Sequence, residues 1–281
     1  MRKNAMIALL LALTVFLAAC ASDAKKVPEA QTEPTATDLT VHFFDAGKAD
    51  AILLTTANGA ALIDAGEKGF GKTILAYLEE QGIEKLDYLI ITHFDQDHVG
   101  GAAKVINNIA VGTVLQSNQP KDSEEYEKYV KALTSAGIEP VTVRDACDFV
   151  LDGVTYSIDP PRQVEYNDDS SNNSSLIVTV TNGSNRFLFM GDAQTERLAE
   201  FFDTKAETCD VLKVPHHGKD EPLIEILAES ARPAFAVITS SDEEPESKAV
   251  VAALEKAGAA VLLTREGAVT LHSDGTSITA R

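Results

Sequence analysis

The stretch THFDQDHVGG, residues 92–101, decides how this sequence is interpreted. It follows an apolar run, residues 88–91, that predicts a buried strand. The stretch places four possible metal ligands within the six residues 93–98: His93, Asp95, Asp97 and His98. Imidazole and carboxylate groups suit Zn²⁺ or Mn²⁺. The stretch therefore predicts a metal site in which His93 and Asp95 face one ion while Asp97 and His98 face another; a solvated acidic loop is the alternative.

Histidine is distributed unevenly in the chain, and its distribution favours the metal site. Four of the six histidines lie in two motifs, the loop above and KVPHHG at residues 213–218, which also follows an apolar run. Between them, FLFMGD at residues 187–192 predicts a strand followed by Asp192, a carboxylate able to bridge two cations. The other two histidines, His42 and His272, lie in predicted strands and are interpreted as structural.

Upstream, LIDAG at residues 62–66 repeats the order of strand, aspartate and glycine. Asp64 is expected to orient a metal ligand from behind rather than to bind metal itself, because ligand histidines need a hydrogen-bond acceptor on their second nitrogen.

The order of predicted elements indicates an α/β (α+β) fold. Short apolar runs at residues 39–44, 51–55 and 60–64 predict an opening antiparallel meander. Helices and strands then alternate, and three short strands close the chain between residues 260 and 280. This mixed order predicts sheets packed together and covered outside by helices, in one domain at residues 39–281.

The first residues predict export. Residues 1–4 carry two positive charges, residues 5–19 carry none, and LAAC ends at Cys20. This pattern predicts a lipoprotein signal peptide at residues 1–19, cleaved before a lipidated Cys20. An ordinary signal peptide or an anchor helix are the alternatives. Residues 20–38 read as a flexible tether, so we expect a secreted protein that faces outside the cytoplasm and is held to membrane lipid through Cys20.

Charge and cysteine content limit the partners. The formal net charge of −19 excludes a general nucleic-acid coating role, since polyanions are bound through Lys and Arg. Besides Cys20, the chain has Cys147 and Cys209. An oxidising exterior permits a disulfide between them, but two cysteines do not specify a geometry. A monomer is expected.

Taken together, the motifs resemble the metallo-β-lactamase superfamily, whose loop reads His-x-His-x-Asp-His; here Asp95 replaces the second histidine. They further resemble the soluble domain of ComEC-type competence proteins. The motifs that carry this resemblance are VHFFDAGKAD (41–50), IDAG (63–66), NNSSL (172–176), MGD (190–192) and VPHHG (214–218). The resemblance implies an αββα sandwich with a metal site at one edge of the sheets.

The resemblance also implies two divalent ions, Zn or Mn, with the second site less certain. The implied ligands are His93, Asp95, Asp97, His98, Asp192 and one of the paired histidines. His217 is favoured as the ligand and His216 as the residue facing substrate, with the reverse order open. Asn173 is placed near the pocket, and a turn residue before a strand is the alternative.

Three departures from the family pattern bear on the site. Lys48 and Ala49 stand where relatives usually have Gln and Gly, and Lys219 stands where they have Ser. Relatives also commonly have a later histidine where this chain has SDEEP, residues 241–245. Either Glu244 replaces that ligand for a harder metal such as Mn, or the second site is weak.

The reaction that the resemblance implies is hydrolysis of a phosphodiester, either extracellular DNA or a small or head-group diester. Two divalent ions acidify water and neutralise charge on a phosphoryl oxygen. Asp97 is the candidate proton acceptor, and His216 or Lys219 the candidate partner of the oxyanion or leaving group. The alternatives are a non-catalytic surface lipoprotein that uses the fold as a binding module and, with Asp95 against it, a β-lactam hydrolase.

Overall fold

The computed structural model describes residues 36–167, 171–203 and 208–281. The predicted signal peptide, Cys20 and the tether up to residue 35 lie outside the described residues. Within the described ranges, no helix combines the length and the apolar character needed to cross a membrane.

Strands and helices alternate along the chain. The strands are β1 (Leu39–Phe43), β2 (Ile52–Thr55), β3 (Ala60–Ile63), β4 (Lys85–Ile91), β5 (Ala110–Gln116), β6 (Val141–Thr142), β7 (Cys147–Leu151), β8 (Val154–Asp159), β9 (Ile177–Asn182), β10 (Asn185–Phe189), β11 (Val211–Lys213), β12 (Phe235–Ile238), β13 (Ala260–Leu263), β14 (Val269–Ser273) and β15 (Ile278–Ala280). The helices are α1 (Gly71–Glu80), α2 (Gln96–Val99), α3 (Ala102–Ile106), α4 (Glu124–Ala136), α5 (Thr195–Phe202), α6 (Ile224–Ala231) and α7 (Lys248–Lys256).

The strands form two sheets. The first has the order β15-β14-β1-β2-β3-β4-β5-β6 and the second the order β13-β12-β11-β10-β9-β8-β7. The opening meander is confirmed, because β1, β2 and β3 pair antiparallel in sequence order. The three closing strands divide between the sheets: β13 extends the second sheet, whereas β14 and β15 extend the first beside β1.

The molecule has four layers, two sheets between two layers of helices, and an apolar core lies between each adjacent pair of layers. The central core lies between the sheets, where the rings of Phe43 and Phe189 stack with centroids 6.0 Å apart. A second core joins the first sheet to α1, α3 and α4 through residues such as Leu78 and Tyr129. A third joins the second sheet to α5, α6 and α7. Helices therefore cover both outer faces, and the expected αββα sandwich is confirmed.

Parallel strand pairing brings distant motifs to one edge. Strands β3, β4, β5 and β6 pair parallel in the first sheet, and β10, β11, β12 and β13 pair parallel in the second. The loops after β3, β4, β10, β11 and β12 all leave carboxyl ends, where open parallel sheets place their ligand sites. These loops contain Asp64, the loop 92–101, Asp192, the paired histidines and residues 241–245.

The permitted disulfide between Cys147 and Cys209 does not form, and both thiols are free. Cys147 begins β7 at the edge of the second sheet, whereas Cys209 lies just before β11, four strands away. Four strand spacings amount to about 19 Å. A disulfide requires Cα atoms within about 7 Å, so the strand order excludes it.

Candidate metal centre

The loop after β4 turns sharply into α2. Asp95 is the last extended residue, and α2 then directs His98 inward with no solvent exposure. The turn packs directly on the loop after β3: a Cβ atom at Gly101 would lie 2.1 Å from the carbonyl oxygen of Ala65. Glycine is required at this position because another backbone occupies the space a side chain needs.

Four of the predicted ligands meet in one cluster. Ligand atoms of Asp97, His98, Asp192 and His217 all lie within 4.8 Å of one another. Asp192 is central, because its Oδ1 lies 3.2 Å from His98 Nε2 and its Oδ2 lies 3.0 Å from His217 Nε2. Asp97 Oδ2 lies 3.3 Å from the same His217 nitrogen. The first sheet supplies two of these residues and the second sheet the other two.

Four buried polar atoms in or beside this cluster lack hydrogen-bond partners. They are His93 Nε2, His98 Nε2, His217 Nε2 and Asp192 Oδ1. Buried polar atoms are normally hydrogen-bonded, because leaving one unpaired costs free energy. Imidazole nitrogen and carboxylate oxygen are also the donor types that Zn²⁺ and Mn²⁺ prefer. The residues therefore fit divalent metal ions.

Hydrogen bonds behind the cluster fix which imidazole nitrogen faces it. His217 Nδ1 donates to the carbonyl oxygen of Thr239 at 3.0 Å, so its Nε2 is the nitrogen that faces the cluster. His98 Nδ1 donates to Asp64 Oδ2 at 2.8 Å. Asp64 is held in turn by Thr92, whose amide and hydroxyl donate to it at 2.8 and 2.6 Å. Asp64 thus contacts a cluster histidine from behind, the arrangement typical of a ligand-orienting carboxylate.

Charges within the cluster shift its acid–base equilibria. Burial disfavours the charged form of His98, but the carboxylates of Asp192 and Asp64 outweigh burial and hold the pKa of His98 well above its usual value. Burial likewise opposes ionised Asp192, yet His217 and His98 keep the pKa of that carboxyl well below its usual value. Burial lowers the pKa of His93 to about 4, so that imidazole is neutral at physiological pH.

His93 and Asp95 lie beside the cluster rather than inside it. The His93 ring centroid is 4.1 Å from that of His98, and its Nε2 is 3.8 Å from Asp95 Oδ1. That oxygen accepts a hydrogen bond from Lys121 Nζ at 2.6 Å and another from the Ser171 hydroxyl. Two groups outside the cluster therefore already bind the Asp95 oxygen that lies nearest to His93.

The paired histidines point in different directions. Both have left-handed backbone angles, with φ of 49° at His216 and 53° at His217. This bend turns His217 into the cluster and leaves His216 at its margin, where its Nδ1 donates to Glu221 Oε1 at 2.8 Å. Its Nε2 lies 3.3 Å from Asn172 Nδ2. His217 thus belongs to the cluster, and His216 does not.

Three further predicted residues lie around the site. Asn173 is buried, and its Oδ1 accepts hydrogen bonds from the amides of Gln194 and Arg197 at 3.1 Å each, at the start of α5. Lys219 is half exposed, with Nζ 3.8 Å from Glu244 Oε2. Glu244 is 57% exposed and belongs to neither group of potential metal ligands in the described residues.

Sequence reasoning missed two buried residues of the site, Asp50 and Lys213. Lys213 Nζ contacts the Asp50 carboxylate, donates to the carbonyl of Gly191 at 2.9 Å and lies 3.6 Å from Asp192 Oδ1. Asp50 also accepts from the Thr239 hydroxyl at 2.6 Å. A charged residue inside the apolar run 209–214 was the available signal, because a buried lysine requires a buried carboxylate.

Asp50, Asp64 and His98 form a second group within 4.8 Å. Their atoms already have partners: Lys213 contacts Asp50, and His98 donates to Asp64. This group supports the cluster from behind.

Solved structures share the fold. A Bacillus subtilis metallo-β-lactamase fold protein, YhfI, superposes with a TM-score of 0.58 at 11% identity, covering 84% of this chain and 100% of that one. A metallo hydrolase from the archaeon Ignicoccus hospitalis gives a TM-score of 0.53 at 18% identity, covering 83% of this chain and 98% of that one. At such identities the likeness concerns the fold alone.

Curated relatives are more similar in sequence. "Recombination protein 2" of Haemophilus influenzae is 29% identical over 210 residues, 73% of this chain and 24% of that protein. "ComE operon protein 3" of Bacillus subtilis is 28% identical over 174 residues, 60% of this chain and 22% of that protein. The chain thus matches about a quarter of the length of these relatives.

The family model that matches is the metallo-β-lactamase superfamily, over residues 45–238. That range contains Asp50, Asp64, the loop 92–101, Asp192 and the paired histidines. With the four-layer fold and the clustered ligand atoms, the match establishes that this chain belongs to the metallo-β-lactamase superfamily.

Proposed function

We propose that this protein hydrolyses phosphodiester bonds with two divalent metal ions, Zn or Mn. The observation that carries the proposal is the convergence of three imidazole nitrogens and one carboxylate oxygen that are buried without hydrogen-bond partners. The residues proposed to hold the ions are His93, Asp95, Asp97, His98, Asp192 and His217. When bound, divalent ions acidify water and neutralise charge on a phosphoryl oxygen.

The protein's own groups are arranged to hold ligands in place and to move protons. Asp64 and Thr239 orient the two cluster histidines, so that Nε2 of each ring faces the cluster without rearrangement. Asp97 is 17% exposed and lies on the solvent side of the cluster, where we propose that it receives the proton of the attacking water. His216 is held through Nδ1 by Glu221, and we propose that it serves the leaving group.

Charge around the site favours a phosphodiester over a β-lactam. Lysines surround the cluster in a chain whose net charge is −19. Lys48 contacts Asp97 at 3.2 Å, Lys121 contacts Asp95 at 2.6 Å, and Lys219 lies at the rim near Glu244. The names of the recombination and competence relatives support a nucleic-acid diester. The acidic remainder of the chain favours a short or single diester over a polynucleotide track.

A non-catalytic binding module is the second candidate. It is favoured by the partners of Asp95, because Lys121 and Ser171 already occupy the oxygen that lies nearest to His93. Glu244, the substitute considered for the missing histidine, faces solvent between two lysines. In this alternative the fold keeps one metal and binds a phosphate group without turnover.

Metal content and diester turnover separate the two candidates. The full chain, purified in mild detergent, is stripped with a chelator, reloaded with Mn²⁺ or Zn²⁺, and assayed on bis-p-nitrophenyl phosphate. We expect two metals per chain and turnover that Asp97→Ala abolishes. A folded chain with fewer metals and no turnover supports the binding module. Opening of nitrocefin instead of the diester indicates a β-lactam hydrolase.

We further propose that the protein is secreted and anchored to the membrane as a lipoprotein through Cys20. The support is the sequence at residues 1–20 alone, which lies outside the described part of the structure. Replacing Cys20→Ser should remove the mass of the attached lipid from the protein. An unchanged lipid mass contradicts the proposal.

A further inference from the structure

We propose that Lys48 is a catalytic residue whose ammonium contacts a non-bridging oxygen of the substrate phosphate, and that the same ammonium weakens metal binding. The contact with phosphate and the weaker metal binding both follow from the position of the Lys48 ammonium beside Asp97. The catalytic half rests on the proposed phosphodiester function, whereas the metal half is tested without turnover.

Lys48 lies in the loop between β1 and β2, with its side chain 21% exposed. Its Nζ donates to Asp97 Oδ2 at 3.2 Å and lies 3.9 Å from Glu244 Oε2. Asp97 Oδ2 also lies 3.3 Å from His217 Nε2, so the ammonium reaches the cluster itself.

An ammonium at this place competes with a divalent ion. Both require the Asp97 carboxylate, and like charges a few ångströms apart repel, by about 1 kcal/mol even in bulk water. Metal binding therefore has to displace Lys48 from Asp97. Removing the charge while keeping a polar side chain should strengthen metal binding.

Once displaced from Asp97, the Lys48 ammonium can contact the substrate phosphate. Its stem is flexible and partly exposed, so the ammonium can turn toward a phosphate bound in front of the cluster. During hydrolysis the water oxygen bonds to phosphorus, the ester oxygen leaves, and the water's proton ends on the leaving oxygen. Negative charge on the non-bridging oxygens increases on the way, and a positive charge beside them lowers the barrier. Lys48 keeps its proton throughout.

The two effects have opposite signs, and this distinguishes the proposal from a structural role. If Lys48 only supported the loop, its replacement would lower metal affinity and turnover together. If its charge acts as proposed, Lys48→Gln lowers turnover while it raises metal affinity. Lys48→Arg keeps the charge and should retain most of the turnover.

The experiment uses the full chain in mild detergent. Calorimetric titration of chelator-treated protein with Mn²⁺ gives the metal dissociation constant, and bis-p-nitrophenyl phosphate at saturating Mn²⁺ gives kcat and KM. For Lys48→Gln we expect about fivefold tighter Mn²⁺ binding, since about 1 kcal/mol of repulsion is removed, and a kcat reduced about 10- to 100-fold.

Lys256→Met is the matched control, because Lys256 also pairs with a carboxylate, Glu229 at 3.4 Å, on the α6–α7 surface. Lys256→Met should change neither the Mn²⁺ dissociation constant nor kcat. Turnover of Lys48→Gln equal to wild type overturns the catalytic half, and weaker Mn²⁺ binding overturns the metal half. A wild-type chain that binds Mn²⁺ but cleaves no diester refutes the proposed function and the catalytic half, while the metal half is still decided by the titration.

Discussion

The ammonium of Lys213 is fully buried against the carboxylate of Asp50. This ion pair lies directly behind the cluster of candidate ligands and joins two motifs, because Asp50 lies in the loop before β2 and Lys213 ends β11. Burial and the positive charge of Lys213 oppose each other at Asp50, and the charges of Lys213 and His98 keep the pKa of that carboxyl below its usual value. Asp50 therefore stays ionised as the partner of Lys213, and the pair supports the cluster from behind.

The pair predicts a specific pattern of stability. Lys213→Met leaves Asp50 as an uncompensated buried charge and should lower the free energy of unfolding by about 3 to 5 kcal/mol. The double variant Asp50→Asn with Lys213→Met removes both charges and should recover most of that loss. Urea denaturation followed by circular dichroism measures both. A double variant as unstable as Lys213→Met shows that the loss does not come from an unpaired charge.

Metal binding should separate the two adjacent histidines. His217→Asn removes a nitrogen that faces the cluster and should abolish tight metal binding, whereas His216→Asn should leave it intact. Metal content after gel filtration, measured by plasma mass spectrometry, checks both variants. The reverse pattern would make His216 the ligand.

Asp64 should influence the metal only through His98. In Asp64→Asn one carboxylate oxygen becomes an NH2 group. The side chain can then no longer accept from both the Thr92 amide, now bound on Oδ1, and His98 Nδ1, now bound on Oδ2, so the imidazole loses its fixed orientation. Outer hydrogen-bond partners of this kind are worth about 10- to 100-fold in metal affinity. Asp87→Asn is the control, because Asp87 accepts from a backbone amide, that of Ala60, near the opposite end of β4. Equal affinities of Asp64→Asn and wild type, measured by Mn²⁺ titration, would refute the assigned role.

Removing metal should lower thermal stability, since the cluster joins the two sheets. A ligand at 100 times its dissociation constant stabilises a folded protein by about 2.7 kcal/mol. Chelator-treated protein should therefore melt several degrees below the Mn²⁺-loaded form in a fluorescence melt. The difference should vanish in His217→Asn. A difference that persists there places the stabilising metal elsewhere.

Cys209 should be unreactive in the native protein. The residue is 6% exposed, and burial raises the pKa of its thiol to about 12. Raising the pH from about 7 to about 9 therefore produces little thiolate at this position. Iodoacetamide labelling followed by peptide mass spectrometry should modify Cys209 only after the chain is unfolded in urea. Rapid labelling of native protein at pH about 9 contradicts the burial.

The loops that hold the cluster were predictable from sequence because possible metal ligands are concentrated in them. Histidines and aspartates have no folding reason to gather after apolar strands, so the loop 92–101 and the pair at 216–217 indicated a site. Asp50 and Lys213 were missed because each is ambiguous alone: an aspartate in a glycine-containing loop and a lysine in a short strand are ordinary. Only the folded structure shows that they neutralise each other.

Local sequence patterns also could not predict which sheet each closing strand joins or how the candidate ligands are arranged. The strands between residues 260 and 280 look alike in sequence, yet β13 and β14 join different sheets, because long-range pairing decides their partners. Asp95 was grouped with the other ligands on spacing, whereas its position depends on Lys121 and Ser171, which approach from distant segments.

The left-handed backbone at both paired histidines affects how this segment can be mutated. Outside glycine, this conformation is tolerated best by asparagine, aspartate and histidine. Alanine scanning across residues 216 and 217 would add a conformational cost to the loss of each ring, and a β-branched residue would add more. Asparagine removes the imidazole while sparing the bend, so it is the substitution whose effect reports on the side chain.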